Sequence, residues 1–170
     1  VYADTIAPNP AAEAAPFFLH GEQLKLIGAA IDGVPVTPTL TEAGLVCPVP
    51  AGRFTWEAEV EIAPEANTAL EGLYMSKGMY CTQCEAEGFR KITYYPDRPD
   101  VMAPFTVRIE GDLPVMLSNG NPTGRGPDWA EWTDPWPKPA YLFALVAGDL
   151  VAHPDRFTTR SGRAVDLNIW

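Results

Sequence analysis

Hydrophobic and polar positions alternate with a period of two wherever the chain shows a clear pattern. Phe54, Trp56, Ala58, Val60 and Ile62 alternate with Arg53, Thr55, Glu57, Glu59 and Glu61, which predicts a strand with one buried and one solvated face. Phe105, Val107 and Ile109 alternate with Thr106, Arg108 and Glu110, and Val165, Leu167 and Ile169 alternate with Asp166 and Asn168. Both segments read as half-buried strands. Leu24 to Ile31 and Val34 to Val36 flank Asp32-Gly33, a pair that tolerates the positive φ of a tight turn, so a hairpin is expected there. Asn119-Gly120 after Val115-Met116-Leu117 gives the same hairpin signal. Tyr141 to Val146 lacks alternation and predicts a strand covered on both faces.

The 18 prolines and 14 glycines that separate these segments leave little room for long helices. The candidate for a short helical turn is Arg98 to Ala103. Short strands with turn signals every ten or so residues imply an all-β protein, an antiparallel β-sandwich or a related two-sheet fold. No internal repeat is visible. Asp134-Pro135-Trp136-Pro137-Lys138-Pro139 must be extended; it reads as a stiff connection into the next strand, with a polyproline ligand for an aromatic groove as the rarer alternative.

Composition narrows the class. The chain of 170 residues fits a single β domain, 1–170, long enough to fold without disulfides. No run approaches the roughly 20 apolar residues of a membrane span. Twelve basic against 22 acidic residues give a net charge of −10, which opposes nucleic acid and anionic membrane as partners and suits a cationic or neutral ligand. Three cysteines are an odd number and do not form the even framework of a small secreted domain, so free thiols in a reducing, cytoplasmic compartment are expected. The start at Val1 shows no charged segment followed by an apolar one, hence no visible signal peptide.

The chemistry concentrates in Cys81-Thr82-Gln83-Cys84-Glu85-Ala86-Glu87-Gly88-Phe89-Arg90. Cys81 and Cys84 have the spacing of half a structural zinc site, but Cys47, His20 and His153 are remote and no second paired motif supplies the missing ligands. A redox role would want the pair at the start of a helix in a βαβ unit, which the strand-rich pattern does not offer. As small packing residues the cysteines need no further role. If Gln83 to Glu85 is extended, residues two apart share a face, and the Gln83 amide oxygen and the Glu85 carboxylate would form an acceptor patch for an ammonium. From spacing alone a solvated Glu on a strand edge remains the commoner outcome. No His-Glu-x-x-His, phosphate-binding glycine loop or nucleophile elbow is present, so no catalytic and no metal-ligating residue is assigned, the histidines included.

These residues sit within a longer resemblance. Asn67 to Tyr74, Tyr80 to Arg90, Ile92 to Tyr95, Asp97 to Val101, Leu117 to Asn121, Asp134 to Pro139, Tyr141 to Leu150 and Phe157 to Arg163 together resemble the bacterial aminopeptidase N family. The match is dense from about Asn67 to Arg163 and thinner before it. Asp112 to Asp128 looks shorter than the family's usual hairpin. The resemblance implies a zinc metallopeptidase that removes single residues from peptide N-termini, of which this chain corresponds to the N-terminal β domain. The His-Glu-x-x-His catalytic domain, with the Zn2+ it would hold, is absent from this chain, and the chain alone is expected to be inactive. What the resemblance carries over is a Gln-x-Glu element, here Gln83 and Glu85: the Glu anchors the free α-amino group of the peptide and the Gln lines the first side-chain pocket. The partners implied are the peptide N-terminus and the catalytic domain. The alternative from another class is a free-standing binding or interaction module that has kept this fold without the enzyme.

Overall fold

The computed structural model describes residues 5–6 and 17–170. The expectation of no signal peptide falls on residues outside the described ones. Among the described residues all strand pairs are antiparallel, as the alternation implies, and the strands are distributed over five small sheets. The first holds Thr5–Ile6, Thr55–Glu61, Lys25–Ile31 and Val34–Pro35 in that order, and beside it in sequence Phe17–His20, Gly44–Cys47 and Thr39–Thr41 form a second. Val115–Ser118, Leu145–Gly148, Met79–Gln83 and Gly72–Ser76 form a third, and Met102–Glu110, Trp129–Pro139 and Asn121–Arg125 a fourth. His153–Thr158 and Ala164–Ile169 pair only with each other. No helix among the described residues is long and apolar enough to cross a membrane.

The clearest alternation produces the clearest core. Trp56, Ala58 and Val60 of Thr55–Glu61 are buried, and with Leu19, Ile31, Leu45, Cys47, Phe54 and Tyr94 they form one apolar cluster. The second cluster holds Cys84, Phe89, Ile92, Tyr95 and Ala140, with Phe105 and Phe143 packed against it. Phe89 is its hub, with ring centroids 5.0 Å from Tyr95, 5.1 Å from Phe143 and 5.9 Å from Phe105. The neighbours Tyr94 and Tyr95 thus enter different cores, which extended backbone allows because successive side chains point to opposite sides. Tyr95 exchanges both backbone hydrogen bonds with His20, at 2.9 and 3.1 Å, so this short bridge ties the two clusters together.

The Asp32-Gly33 hairpin forms as expected, with φ of +50° and +75° at the turn. Other expectations are corrected. Asn119-Gly120 does turn, but Val115–Ser118 pairs with Leu145–Gly148 while Asn121–Arg125 pairs with Trp129–Pro139, so the turn passes the chain between sheets rather than closing a hairpin. Tyr141 to Val146 is no continuous strand: a short 3-10 turn at Ala140–Leu142 precedes Leu145–Gly148, and Leu142 is exposed. There the backbone is served by side chains, the Asn119 amide accepting from Ala144 N–H at 2.6 Å and donating to the Leu142 carbonyl at 3.1 Å. Arg98 to Ala103 makes a turn closed by Val101 N–H on the Arg98 carbonyl, not a helix, because Met102 and Ala103 are already paired with Pro139 and Lys138. Val165 is half-buried, but Leu167 and Ile169 are 41% and 67% exposed, on a two-stranded ribbon that pairs with no further strand among the described residues.

Asp134 to Pro139 is extended but is no mere connection; it belongs to the strand paired with Met102–Glu110. Pro135, Trp136 and Pro137 bulge out opposite Pro104, where the missing proline N–H groups interrupt nothing. The Asp134 carboxylate closes the bulge, accepting from Trp136 N–H at 3.2 Å and from Lys138 Nζ at 2.6 Å.

Two outcomes follow from this packing. Trp56 is fully buried at the centre of the first cluster, so Trp56→Ala should lower unfolding free energy by about 3–5 kcal/mol in urea titrations; a loss below about 1 kcal/mol would contradict the assignment of that core. Burial pushes the Cys47 thiol up and, with Asp97 adding to the effect, pushes Cys84 up to about 12. In native protein at pH 8 a thiol reagent should therefore label half-buried Cys81 first, with Cys47 and Cys84 labelled only after unfolding. An unfolded thiol ionises near its ordinary 9.0 and folded Cys84 does not, so its contribution to stability is intact below pH 9 and is lost as pH climbs toward 12.

Candidate functional site

The site grows from the hairpin Gly72–Ser76 and Met79–Gln83, whose turn residues Lys77 and Gly78 carry φ of +50° and +82°. Its second strand is held on the other side by Leu145–Gly148, and where that ladder ends Thr82 Oγ1 accepts from Leu145 N–H at 2.8 Å and donates to the Leu145 carbonyl at 3.2 Å. Gln83 is the last strand residue, still paired with Gly72. Beyond it Cys84 turns inward and is 3% exposed, so apolar burial pulls the chain out of the sheet.

The chain then closes a tight turn. Gly88 N–H donates to the Cys84 carbonyl at 2.9 Å, and a Cβ on Gly88 would lie 2.3 Å from the Gln83 carbonyl oxygen, so only glycine fits. Glu85 stands on this turn, exposed, and Gln83 is exposed beside it. The Gln83 amide donates from Nε2 to the Glu85 carbonyl at 3.3 Å, which leaves its side-chain oxygen as an acceptor. The expectation of an extended Gln83 to Glu85 is therefore met only up to Gln83; a turn, rather than strand periodicity, carries Glu85.

Cations surround the turn, but each is already engaged. Arg90, on the 3-10 turn Phe89–Lys91, places Nε 3.0 Å from Asp97 Oδ2 and Nη2 3.3 Å from Glu87. Lys91 pairs with Glu71 and stands 3.7 Å from Glu22; the Glu71 hydrogen bond first, then its charge and that of Glu22, raises the lysine pKa. Among the described residues Glu85 has no ion-pair partner. The arrangement is thus an exposed carboxylate and an exposed amide oxygen on adjacent backbone, with the nearby positive charge neutralised elsewhere, a combination suited to accepting hydrogen bonds from an ammonium.

The cysteines do not cooperate: Cys84 is a core residue, Cys81 lies half-buried on the strand, and all three thiols are free. No group of three or more His, Cys, Asp or Glu side chains among the described residues is placed to hold a metal ion, so these residues do not fit zinc. A shallow cleft of about 210 Å³ between Ile62, Asn67, Leu73 and Lys91 does not include Gln83 or Glu85. Sequence reasoning missed the Arg90–Asp97 pair. Its signal was two opposite charges flanking the apolar run Ile92 to Tyr95, where a charge is tolerated only if paired.

Comparison with known proteins places the chain in a family. The Peptidase M1 N-terminal domain model matches residues 38–142. Aminopeptidase N of Caulobacter vibrioides is 52% identical over 172 residues, covering 91% of this chain, and aminopeptidase N of Escherichia coli is 53% identical over 165 residues, covering 92%. The chain spans 19% of the length of both of those relatives. A crystal structure of Legionella pneumophila aminopeptidase A in complex with aspartic acid superposes with a TM-score of 0.87 at 32% identity, covering 95% of this chain and 20% of that one. On the match of residues 38–142 and identities of 52% and 53% across nearly its whole length, this chain belongs to the peptidase M1 N-terminal domain family.

Proposed function

We propose that the chain is the substrate-anchoring domain of a zinc aminopeptidase, in which Glu85 holds the α-ammonium of a peptide and Gln83 lines the pocket for its first side chain. The observation that carries this reading is the exposed Glu85 carboxylate, without an ion-pair partner among the described residues, two residues from the exposed Gln83 amide and next to cations already committed. An ammonium docked on fixed acceptors sets the distance from chain end to scissile bond, so cleavage proceeds one residue at a time. This chain's residues would bind and orient; the bond-breaking groups and the family's zinc would belong to a catalytic domain elsewhere in the polypeptide. The exposed apolar face of the C-terminal ribbon, formed by Phe157, Leu167 and Ile169, supports such a domain as the partner. A reducing, cytoplasmic setting forms part of the proposal, supported by the three free thiols.

Kinetics on the full-length polypeptide that carries this chain test the anchor directly. There, Glu85→Ala should lower kcat/KM for an aminoacyl substrate by roughly 10- to 100-fold, the scale of one lost hydrogen bond to a charged group. Unchanged kcat/KM would refute the anchoring role. The isolated 170-residue chain with added zinc should show no turnover of the same substrate above background.

A further inference from the structure

The turn that carries Glu85 has no sheet partner of its own, and beyond its own Gly88–Cys84 and Gln83–Glu85 hydrogen bonds the Arg90 guanidinium braces it. Arg90 Nη2 reaches Glu87 on the turn at 3.3 Å, while its Nε donates to Asp97 Oδ2 at 3.0 Å and Nη2 to the Asp97 carbonyl at 3.1 Å. The backbone N–H of Arg90 donates to that same Oδ2 at 3.2 Å, and the Arg90 carbonyl accepts from Glu22 N–H at 2.9 Å. The Asp97 side chain is 3% exposed and that of Arg90 12%, whereas that of Glu87 is 71% exposed. The strong attraction on Arg90 is thus the buried one, since a carboxylate in water competes weakly with one that is desolvated.

Glu85 lies two residues from Glu87, to which Arg90 already extends. Without the buried charge of Asp97, the carboxylate left in contact with the guanidinium is that of Glu87, on the same turn as Glu85. We propose that Asp97 is a positioning residue for substrate: it holds Arg90 down beneath the turn, so that the guanidinium braces Glu87 but is withheld from Glu85. Glu85 is thereby kept free for the peptide α-ammonium. The inference rests on the reading of Glu85 as the amine anchor, and it assigns Asp97 and Arg90 an electrostatic role that packing alone would not give.

The test is a set of substitutions in the full-length polypeptide, with KM and kcat for an aminoacyl substrate measured separately and folding checked by thermal melting. Asp97→Asn keeps the shape and an acceptor but removes the charge; KM should rise about 5- to 10-fold with kcat within twofold of the parent. Adding Arg90→Gln removes the competing cation, and KM should fall back to within about threefold of the parent, a rescue that a merely structural role would not produce. In a Glu85→Ala background Asp97→Asn should add nothing. Should Asp97→Asn alone fail to fold, the double variant that combines Asp97→Asn with Arg90→Gln is neutral at both positions and carries no unpaired buried charge. A KM there as high as that of Glu85→Ala would overturn the role. So would an Asp97→Asn KM within twofold of the parent, or its full effect persisting on Glu85→Ala. A silent Glu85→Ala removes the anchor reading itself and this inference with it, which separates the two failures.

Discussion

The buried ion pair between Arg90 and Asp97 is the constraint on which the site depends. Taking two charges out of water costs several kcal/mol per ion, and their attraction offsets that only where other hydrogen bonds satisfy the remaining valences. Here they do: Asp97 Oδ2 receives both the Arg90 side chain and its backbone N–H, and the guanidinium is shared with the Asp97 carbonyl and Glu87. The pair therefore acts as a clasp across the loop of residues 90–97, and its charge is felt by what packs around it. Desolvation chiefly, and then the Asp97 carboxylate, raise the pKa of both Cys84 and Tyr95. A thiol held protonated in this way packs like a methyl-sized apolar group.

The clasp works because the loop it closes is also the seam between two cores. Tyr94 enters the cluster around Trp56 and Tyr95 the cluster around Phe89, while the His20–Tyr95 bridge fixes their relative height. Asp97 follows within two residues, its own N–H bonded to the Tyr95 carbonyl at 2.8 Å. Any displacement of Asp97 would thus have to move aromatic side chains seated on either side of the seam. Interiors packed at crystal-like density resist such shifts, and this gives an exposed turn a well-defined position without a sheet partner.

Legibility in the sequence followed the range of the forces involved. Thr55–Glu61 and Met102–Glu110 were readable because side-chain alternation reports burial directly, and Asp32-Gly33 because its turn chemistry is local. Lys77-Gly78 makes a turn of the same kind but lacks the Asn or Asp that would announce it. The Asn119-Gly120 turn was visible; the sheets it joins were not, since partner choice depends on residues far along the chain. Tyr141 to Val146 misled because part of an apolar run can satisfy its backbone through Asn119 and Ser118 instead of a ladder, which no local pattern encodes. At the site, spacing placed Gln83 and Glu85 on adjacent backbone, but the turn that presents Glu85 is made by the inward pull of Cys84 and the close approach at Gly88.

An exposed carboxylate without a partner is cheap to keep and, in open water, worth little as an anchor. At 4 Å in bulk water a unit charge pair gains only about 1 kcal/mol, against about 4 kcal/mol at the effective dielectric of a protein surface pocket. Glu85 in the isolated chain is in the first regime, solvated and weak. Covering it with a second protein surface would move it into the second, provided no cation of its own fold takes the site first. The commitment of Arg90 to Asp97 and of Lys91 to Glu71 matters for this reason. Under the proposed reading, a domain that supplied half of a binding site would have to keep its charge available through folding, and here Arg90 and Lys91 are held by Asp97 and Glu71.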